Sequence, residues 1–256
     1  MASAREPEQI YRATREEGRR RLSRPVPELA ATALVGGFDV AFGVVAYALA
    51  ASAVGGKVGH LVGAIAFGLG FVFIVVGRSE LFTENFLIPV AGLERGKLGS
   101  WLKLGELWLV ALVLNLGGGI LLTIILTSEG VLRSGAGRPL VDLADHVAGY
   151  STLTSFLSAI VAGALMTLMT WFVEGAADSV GVRIVMAWLT GALILLGTFN
   201  HAIVSTLELV FGMRYDADVN IGQLFANLGL AVAGNLVGGL LFVTFVRTIQ
   251  AAEGAR

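Results

Sequence analysis

The sequence contains no cysteine, and only 14% of its 256 residues are charged. The absence of cysteine excludes disulfide bonds, thiolate metal sites and cysteine nucleophiles. Soluble domains carry about 25% charged residues, so the low charge excludes an ordinary soluble protein. The net charge of −1 indicates no particular partner, and we expect no nucleic-acid partner, no cofactor and no metal.

The chain is instead rich in apolar residues, with 55% hydrophobic residues, 34 glycines and a mean hydropathy of +0.79. Six apolar segments follow one another, each long enough to cross a bilayer. We therefore predict an all-α integral membrane protein with six transmembrane helices and the lipid bilayer as its surroundings. The predicted segments are 28–53, 58–92, 101–127, 151–173, 183–213 and 221–247.

Two of these segments, 58–92 and 183–213, are too long for one straight span, and both carry polar residues in the middle. Residues 78–85 (Arg-Ser-Glu-Leu-Phe-Thr-Glu-Asn) interrupt the first, and residues 197–206 interrupt the second. A charge near the bilayer centre costs roughly 2.5–3.5 kcal/mol, and non-helical backbone at that depth is tolerated only inside protein or beside a water-filled cavity. We therefore predict two broken helices with a permeation pathway between them.

The two halves of the chain repeat at an offset of 120 residues. Gly77 at the first interruption corresponds to Gly197 at the second, and the motif Asn-Leu-x-Gly-Gly at Asn115 recurs at Asn235. Halves with three spans each must insert in opposite directions. The sequence therefore predicts an inverted repeat, with the site at the interface of the two halves.

His201 is the only histidine deep inside a predicted span. A neutral imidazole can donate a proton or a hydrogen bond to an entering anion; the alternative is a buried histidine satisfied by a neighbouring helix. Thr83 and Asn200 carry short hydrogen-bonding side chains. They can orient His201 or a permeant, or they can cap the half-helices.

Arg78, Glu80 and Glu84 are the charged residues of the first interruption. One interpretation is a buried ion-pair network in which the two glutamates compete for Arg78, with Asp39 as a further candidate partner of Arg78. The other is that Glu84 or Arg78 lines the pore and selects the ions that enter. Phe67, Phe71, Phe82 and Ile194 are candidates for apolar constrictions, which gate by dewetting, although any one of them is more often explained by plain packing.

Residues 1–27 carry seven arginines and four glutamates and end at Pro25 and Pro27. We predict an amphipathic or disordered N-terminal tail over 1–27, the six-helix channel domain over 28–247 and a second tail over 248–256. No cleavable signal is apparent, because the first tail has no apolar core. Lysine and arginine number 13 on the side of the N-terminus and 4 on the other side, so both tails are expected to be cytoplasmic. The outer stretch 128–150 is expected to form a lid or a short helix.

The motifs at the interruptions resemble those of the formate/nitrite transporter family. The matching residues are Glu80-Leu81-Phe82-Thr83-x-Asn85 at the first interruption, Asn200-His201 at the second, and the two Asn-Leu-x-Gly-Gly motifs. The resemblance covers residues 28–247. It implies an aquaporin-like subunit fold, a homopentamer with one pore per subunit, and the passage of small monovalent anions across the inner (plasma) membrane.

By this resemblance, His201 is the central pore histidine and Thr83 its loop partner. Leu81 and Phe82, with Phe67 and Ile194, correspond to the hydrophobic constrictions on either side. The chain departs from the family pattern at Glu84 and Arg78, where the family has small residues, and at Asn200, where it typically has Glu. A pore of altered selectivity, for a cation or a neutral solute and set by Glu84, Glu80 and Arg78, is therefore the alternative function. An enzyme is not expected.

Overall fold

The computed structural model describes residues 5–176 and 179–253, and all regular secondary structure within those ranges is helical. A 3-10 turn, Phe82–Phe86, follows α3, and a π-helix, Gly238–Phe245, follows α10. The α-helices are α1 Pro7–Leu22, α2 Val26–Val54, α3 Gly56–Gly77, α4 Ile88–Gly92, α5 Leu98–Leu126, α6 Gly137–Ala148, α7 Thr152–Gly175, α8 Val180–Leu196, α9 Val204–Met213, α10 Ile221–Val237 and α11 Val246–Glu253.

Among the residues that the structure describes, five helical stretches are long and apolar enough to cross a membrane: α2, α3, α5, α7 and the continuous helix over 221–252. Two further apolar helices, α8 and α9, are shorter. The prediction of an all-helical, multi-pass membrane protein is thereby confirmed. The predicted segment 58–92 includes most of α3, the 3-10 turn and α4. The predicted segment 183–213 includes most of α8 and all of α9, with seven residues between Leu196 and the start of α9 that include His201.

Close helix contacts depend on glycine at the points where backbones meet. A Cβ atom added to Gly37 in α2 would lie 2.1 Å from the carbonyl oxygen of Asn115 in α5. Any larger side chain would therefore force α2 and α5 apart. This is the small-residue packing by which membrane helices approach closely.

Residues 7–22 of the predicted N-terminal tail form α1, which packs against the rest of the chain. Pro7 stands in the first turn, where a missing N–H costs nothing, and the backbone N–H of Glu6 donates to Gln9 Oε1 at 3.1 Å. Ile10, Thr14 and Gly18 are buried. A Cβ at Gly18 would lie 2.0 Å from the carbonyl oxygen of Ile88, so α1 rests directly on α4.

The ends of the chain differ in part from the predicted tails. Residues 248–253 are not a separate tail but continue the last helix as part of α11. Residues 1–4 of the predicted first tail and residues 254–256 of the second lie outside the described ranges. In the stretch 128–150, residues Gly137–Ala148 form the helix α6, whose Ala144 and Val147 pack with Leu209 of α9.

Candidate functional site

The two interruptions bring Thr83 and His201 into contact. The Oγ1 atom of Thr83 lies 2.8 Å from Nε2 of His201, and both residues are completely buried. Thr83 belongs to the 3-10 turn after α3, and His201 lies in the non-helical segment between α8 and α9. The two residues are 118 positions apart in the chain, so the contact joins the two halves of the molecule.

Backbone amides determine which nitrogen of His201 carries the hydrogen. The N–H groups of Ile203 and Val204, at the start of α9, donate to Nδ1 at 3.2 and 3.1 Å. A nitrogen that accepts hydrogen bonds carries no hydrogen, so the neutral ring is protonated at Nε2. Nε2–H therefore donates to the hydroxyl of Thr83, and the imidazole is oriented as a hydrogen-bond donor toward the first interruption.

Two buried asparagines hold the interruptions with matching hydrogen bonds. Asn115 donates to the carbonyl oxygens of Ala33 and Glu80 and accepts from the N–H of Phe82. Asn235 makes the corresponding three bonds, with the carbonyl oxygens of Ala159 and Asn200 and with the N–H of Ala202. Glu80 and Asn200, like Phe82 and Ala202, are 120 residues apart. Each asparagine thus satisfies backbone groups that the neighbouring half-helix leaves without partners.

The helices before the two interruptions end in the same way. Arg78 and Thr198 both adopt left-handed backbone conformations, with φ of 56° and 49°. The backbone N–H groups of the next residues, Ser79 and Phe199, donate hydrogen bonds to the carbonyl oxygens of Ile74 and Ile194 at 3.2 and 3.0 Å. This is the helix ending in which a left-handed residue satisfies the last carbonyls. The break therefore lies one residue beyond Gly77 and Gly197.

Glu80 is bound by two arginines from outside the predicted channel domain. Its Oε1 lies 2.8 Å from Nη1 of Arg21, at the end of α1, and its Oε2 lies 2.5 Å from Nη1 of Arg24. Arg21 also donates to Oδ1 of Asn85 at 3.0 Å. The predicted ion-pair network thus exists, but its cations are Arg21 and Arg24 and not Arg78. The seven arginines of residues 1–27 are the signal for it in the sequence, in addition to the orientation that they predict.

The charged side chains at this network shift the pKa values of Glu17 and Arg21 in α1. Burial alone would raise the pKa of Glu17, but the hydrogen bond from Arg20 and the positive charges of Arg21 and Arg20 lower it below its usual value. Burial opposes the charged form of Arg21, yet Glu80, Glu84 and Glu17 together raise its pKa. Arg21 therefore remains a cation where it meets Glu80.

Arg78 and Asp39 do not meet. Arg78 is exposed, and Asp39 Oδ2 instead accepts a hydrogen bond from the hydroxyl of Ser79 at 2.5 Å. The left-handed ending of α3 explains the difference, because it directs the chain away from the helix axis immediately after Gly77. The proposed pairing of Arg78 with Asp39 is therefore wrong, as is the pairing of Arg78 with Glu80.

The second interruption is held by neutral groups. The amide nitrogen of the Asn200 side chain lies 2.7 Å from Oγ of Ser155 and 2.9 Å from Oδ1 of Asn227. Asn227 returns a hydrogen bond to Oδ1 of Asn200 at 3.2 Å. The backbone N–H of Asn200 donates to Oγ of Ser158 at 3.0 Å. All hydrogen-bonding capacity of Asn200 is directed at this cluster and at Asn235, so its side chain fixes the loop.

Apolar side chains surround the Thr83–His201 pair. Phe71 lies with its ring centre 6.1 Å from that of His201, and the rings of Phe67 and Phe71 are 5.4 Å apart. Leu81, Phe82 and Ile194, the other predicted constriction residues, are buried in the same apolar cluster. A charged solute would lose its water in such surroundings.

A polar cavity of about 210 Å³ lies on the side of the molecule where α1 packs. Glu80 and Glu84 line it from the first interruption. Its five arginines are Arg20, Arg21, Arg24, Arg78 and Arg183. Within residues 5–176 and 179–253, no three histidine or acidic side chains form a group that could hold a metal ion. The arrangement therefore combines an arginine-rich cavity, a buried hydrogen-bond donor and apolar surroundings of that donor.

Comparison with known proteins assigns the chain to one family. The sequence profile described as formate/nitrite transporter matches residues 8–249. The uncharacterized transporter YrhG of Bacillus subtilis (strain 168) is 26% identical over 253 residues, covering 94% of this chain and 92% of its own. The inner membrane protein YfdC of Escherichia coli (strain K12) is 24% identical over 245 residues, covering 94% and 77%.

Two solved structures share the fold. A pentameric formate channel with formate bound superposes with a TM-score of 0.74 at 23% identity, over 88% of this chain and 96% of that chain. An FNT family ion channel superposes with a TM-score of 0.78 at 16% identity, over 94% and 98%. At these identities the likeness establishes the fold.

Proposed function

Because this chain belongs to the formate/nitrite transporter family, we propose that it passes a small monovalent anion, or the neutral acid of that anion, through a pore in each subunit. Membership of the family makes it a membrane transport protein and not an enzyme. The solved formate channel of the same fold is pentameric, which supports a homopentamer. The relative from Escherichia coli is an inner membrane protein, which supports the inner (plasma) membrane as the location.

The proposed architecture counts six spans, with α8 and α9 as the two halves of the fifth and the segment 58–92 as a broken second. The matched hydrogen bonds of Asn115 and Asn235 support an inverted repeat of two three-span halves. Within it, residues 28–247 form the channel domain. The excess of lysine and arginine on the α1 side supports two cytoplasmic termini.

The observation that carries the proposed function is the buried contact between Thr83 and His201 inside an apolar enclosure. A bare anion pays a large desolvation cost between Phe82, Phe67, Leu81 and Ile194. A hydrogen-bond donor among these side chains lowers that cost. In this proposal His201 and Thr83 form the central site. The remaining pore residues are Asn200, Glu84, Arg78, Glu80 and Asn85.

Flux measurements on the purified protein in liposomes test this function. Small anions and cations are offered one at a time, with and without a pH gradient. His201→Ala is expected to change the anion flux or its pH dependence while the oligomer stays intact. His146→Ala, which removes an exposed histidine of α6, is the matched control and should behave as the natural chain. Equal flux of the permeant in both variants would contradict a role for His201.

Glu84 favours a second candidate, a pore selective for a cation or a neutral solute. Its acidic side chain lines the cavity on the α1 side, and with Glu80 and Arg78 it would determine which charge enters. Reversal potentials in planar bilayers separate the two candidates, because cation and anion selectivity shift them in opposite directions. If Glu84→Gly raises anion flux, the carboxylate acts as a charge filter.

A further inference from the structure

A second polar pocket, of about 500 Å³, lies where the end of α1 meets the start of α5. We call it the α1–α5 pocket. Its cations are Arg19 from α1, Lys97 from the loop before α5, and Lys103 from the first turns of α5. Among the described residues that line it, Glu94 alone is acidic. The pocket therefore holds two more positive charges than negative ones.

The three cations of the α1–α5 pocket are available to a ligand. Arg19 is exposed, and within residues 5–176 and 179–253 its guanidinium forms neither an ion pair nor a hydrogen bond. Lys97 pairs with Glu94 and Lys103 with Glu106, in both cases through side chains that water reaches. Ion pairs in contact with water contribute little to stability. An anionic ligand can therefore share both lysines at little cost.

Glu94 does not cancel the positive charge of the pocket. The hydrogen bond and the charge of Lys97, together with the charge of Arg19, lower the pKa of Glu94 below its usual value. Glu94 is therefore an anion that offsets one cation and leaves the surplus of two. A surplus of this kind attracts an anionic group.

The pocket lies at the level of the bilayer surface, because it is built on the first residues of a spanning helix. The 29 residues of α5 extend over about 44 Å, which exceeds the hydrocarbon thickness of about 30 Å. Beside the pocket, Leu98 and Leu102 are 74% and 65% exposed and lie one turn apart. Trp101 is also exposed and donates from Nε1 to the carbonyl oxygen of Arg95 at 3.2 Å, as interfacial tryptophans do with polar groups. A cationic pocket thus adjoins an apolar helix surface.

The pocket at the other end of α5 has no such surplus. Arg133 and Arg138 line it together with Glu129 and Asp142, so its charges balance. Arg133 is also already bound, because it donates to a backbone carbonyl and a serine hydroxyl of α2 at 2.9 and 3.0 Å. Of these two pockets, only the one on the α1 side fits an anion.

We infer that the α1–α5 pocket binds the phosphate headgroup of an anionic phospholipid from the leaflet on the α1 side. Arg19, Lys97 and Lys103 contact the phosphate, and the acyl chains lie along Leu98 and Leu102. Basic pockets at the membrane ends of helices commonly bind anionic headgroups in this way. The inference goes beyond the proposed transport and does not depend on which solute the pore passes.

A lipid bound here would hold α1 in its position. Its phosphate joins Arg19 of α1 to Lys103 of α5, and Arg21 in the same last turn of α1 binds Glu80. A ligand that binds only the folded protein raises the unfolding temperature. Phosphatidylglycerol is therefore expected to raise the unfolding temperature more than phosphatidylcholine, whose headgroup carries no net charge.

Native mass spectrometry of the full chain in neutral detergent measures the binding directly. The protein is titrated with phosphatidylglycerol or with phosphatidylcholine of the same acyl chains, and phosphatidylglycerol should bind more tightly. The double variant Arg19→Ala with Lys103→Ala should weaken phosphatidylglycerol binding by about 25-fold, at about 5-fold for each cation lost near a membrane surface. Arg138→Ala removes an exposed arginine of the other pocket and should bind as the natural chain does.

Gly99→Glu tests the same pocket without removing any contact. Gly99 lines the pocket, and a Cβ atom there would meet no atom within 4 Å. An acidic residue in the first turn of a helix is also favourable for folding. We therefore expect this variant to assemble normally and to lose phosphatidylglycerol binding through charge repulsion, so it decides the question if the double variant fails to assemble.

Four results would overturn the inference. Equal affinity for phosphatidylglycerol and phosphatidylcholine would exclude recognition of an anionic headgroup, and unchanged affinity in the pocket variants would place the lipid elsewhere. Full competition by inorganic phosphate would show that the pocket binds a free phosphate ion. Dissociation of the oligomer in Gly99→Glu, visible in the same spectra, would show that a second copy of the chain covers the pocket.

Discussion

The interruptions after α3 and after α8 share one backbone design and differ in their electrostatics. Arg78 and Thr198 end the preceding helices in the same left-handed conformation, and Asn115 and Asn235 hold the following residues through the same three hydrogen bonds. At the equivalent position, however, one half has a carboxylate bound by arginines and the other has Asn200 bound by serine and asparagine. The backbone scaffold is thus separable from the charge that it carries.

Removal of the two arginines that bind Glu80 should cause the largest loss of stability at either interruption. In the double variant Arg21→Ala with Arg24→Ala, Glu80 would be a buried charge without a cation, at a cost of about 3–5 kcal/mol in the free energy of unfolding. Adding Glu80→Gln should recover much of that loss. Denaturant unfolding in detergent measures both, with Arg12→Ala as the control, because its pair with Glu8 is exposed. No recovery on adding Glu80→Gln would show that the arginines act through another contact.

The two scaffold asparagines should be equally important. Asn115→Ala and Asn235→Ala each leave one N–H and two carbonyl groups buried without their side-chain partner. Unpaired buried groups cost about 1–3 kcal/mol each, so we expect a loss of about 3 kcal/mol at either position. Thermal unfolding of the two variants side by side measures this. A large effect at one asparagine and none at the other would disprove the equivalence of the two halves.

Substitutions in the neutral cluster around Asn200 should cost less stability than substitutions in the ion-pair network around Glu80. Asn227→Ala removes one partner of Asn200, while Ser155 and Asn235 continue to hold that residue. We expect a loss of about 1 kcal/mol, independent of salt concentration, since no charge is involved. Unfolding midpoints at low and high salt test this. A marked salt dependence would contradict a purely neutral cluster around Asn200.

The smallest expected effect is the response of α1 to acid. The pKa of Glu17 is lowered from its unfolded value of 4.5. Its stabilising contribution is therefore complete above pH 4.5 and is lost as the pH falls through the lower value of the folded protein. Glu17→Gln should flatten this acid limb of the unfolding midpoint against pH. If the natural chain and the variant give parallel curves, Glu17 does not couple α1 to pH.

Much of the fold follows from local patterns. Apolar runs of spanning length determine the helices because a bilayer leaves the backbone few alternatives, and polar residues in the middle of a run, such as Thr83 and His201, are too costly to face lipid. These signals suffice to name both residues. The hydrogen on Nε2 of His201 depends on the exact path of the backbone at Val204, which no spacing rule provides.

The partner of Glu80 could not be predicted for a different reason. Arg21 and Arg24 lie 59 and 56 residues away in a polar segment with no membrane signal, and only the docking of α1 brings them near. The nearest arginine in sequence, Arg78, is turned away by its left-handed backbone. Side chains joined by tertiary folding leave no periodic pattern in the sequence, whereas helices do.

The position of α1 couples distant parts of the chain. Gly18 lies against Ile88 and Gly92, Ile10 packs with Leu87 and Trp171, and α1 also contacts α11. One helix therefore touches segments from both halves of the molecule, and its last turn carries Arg21 to Glu80. A displacement of α1 would thus be felt at the first interruption as the loss of a positive charge.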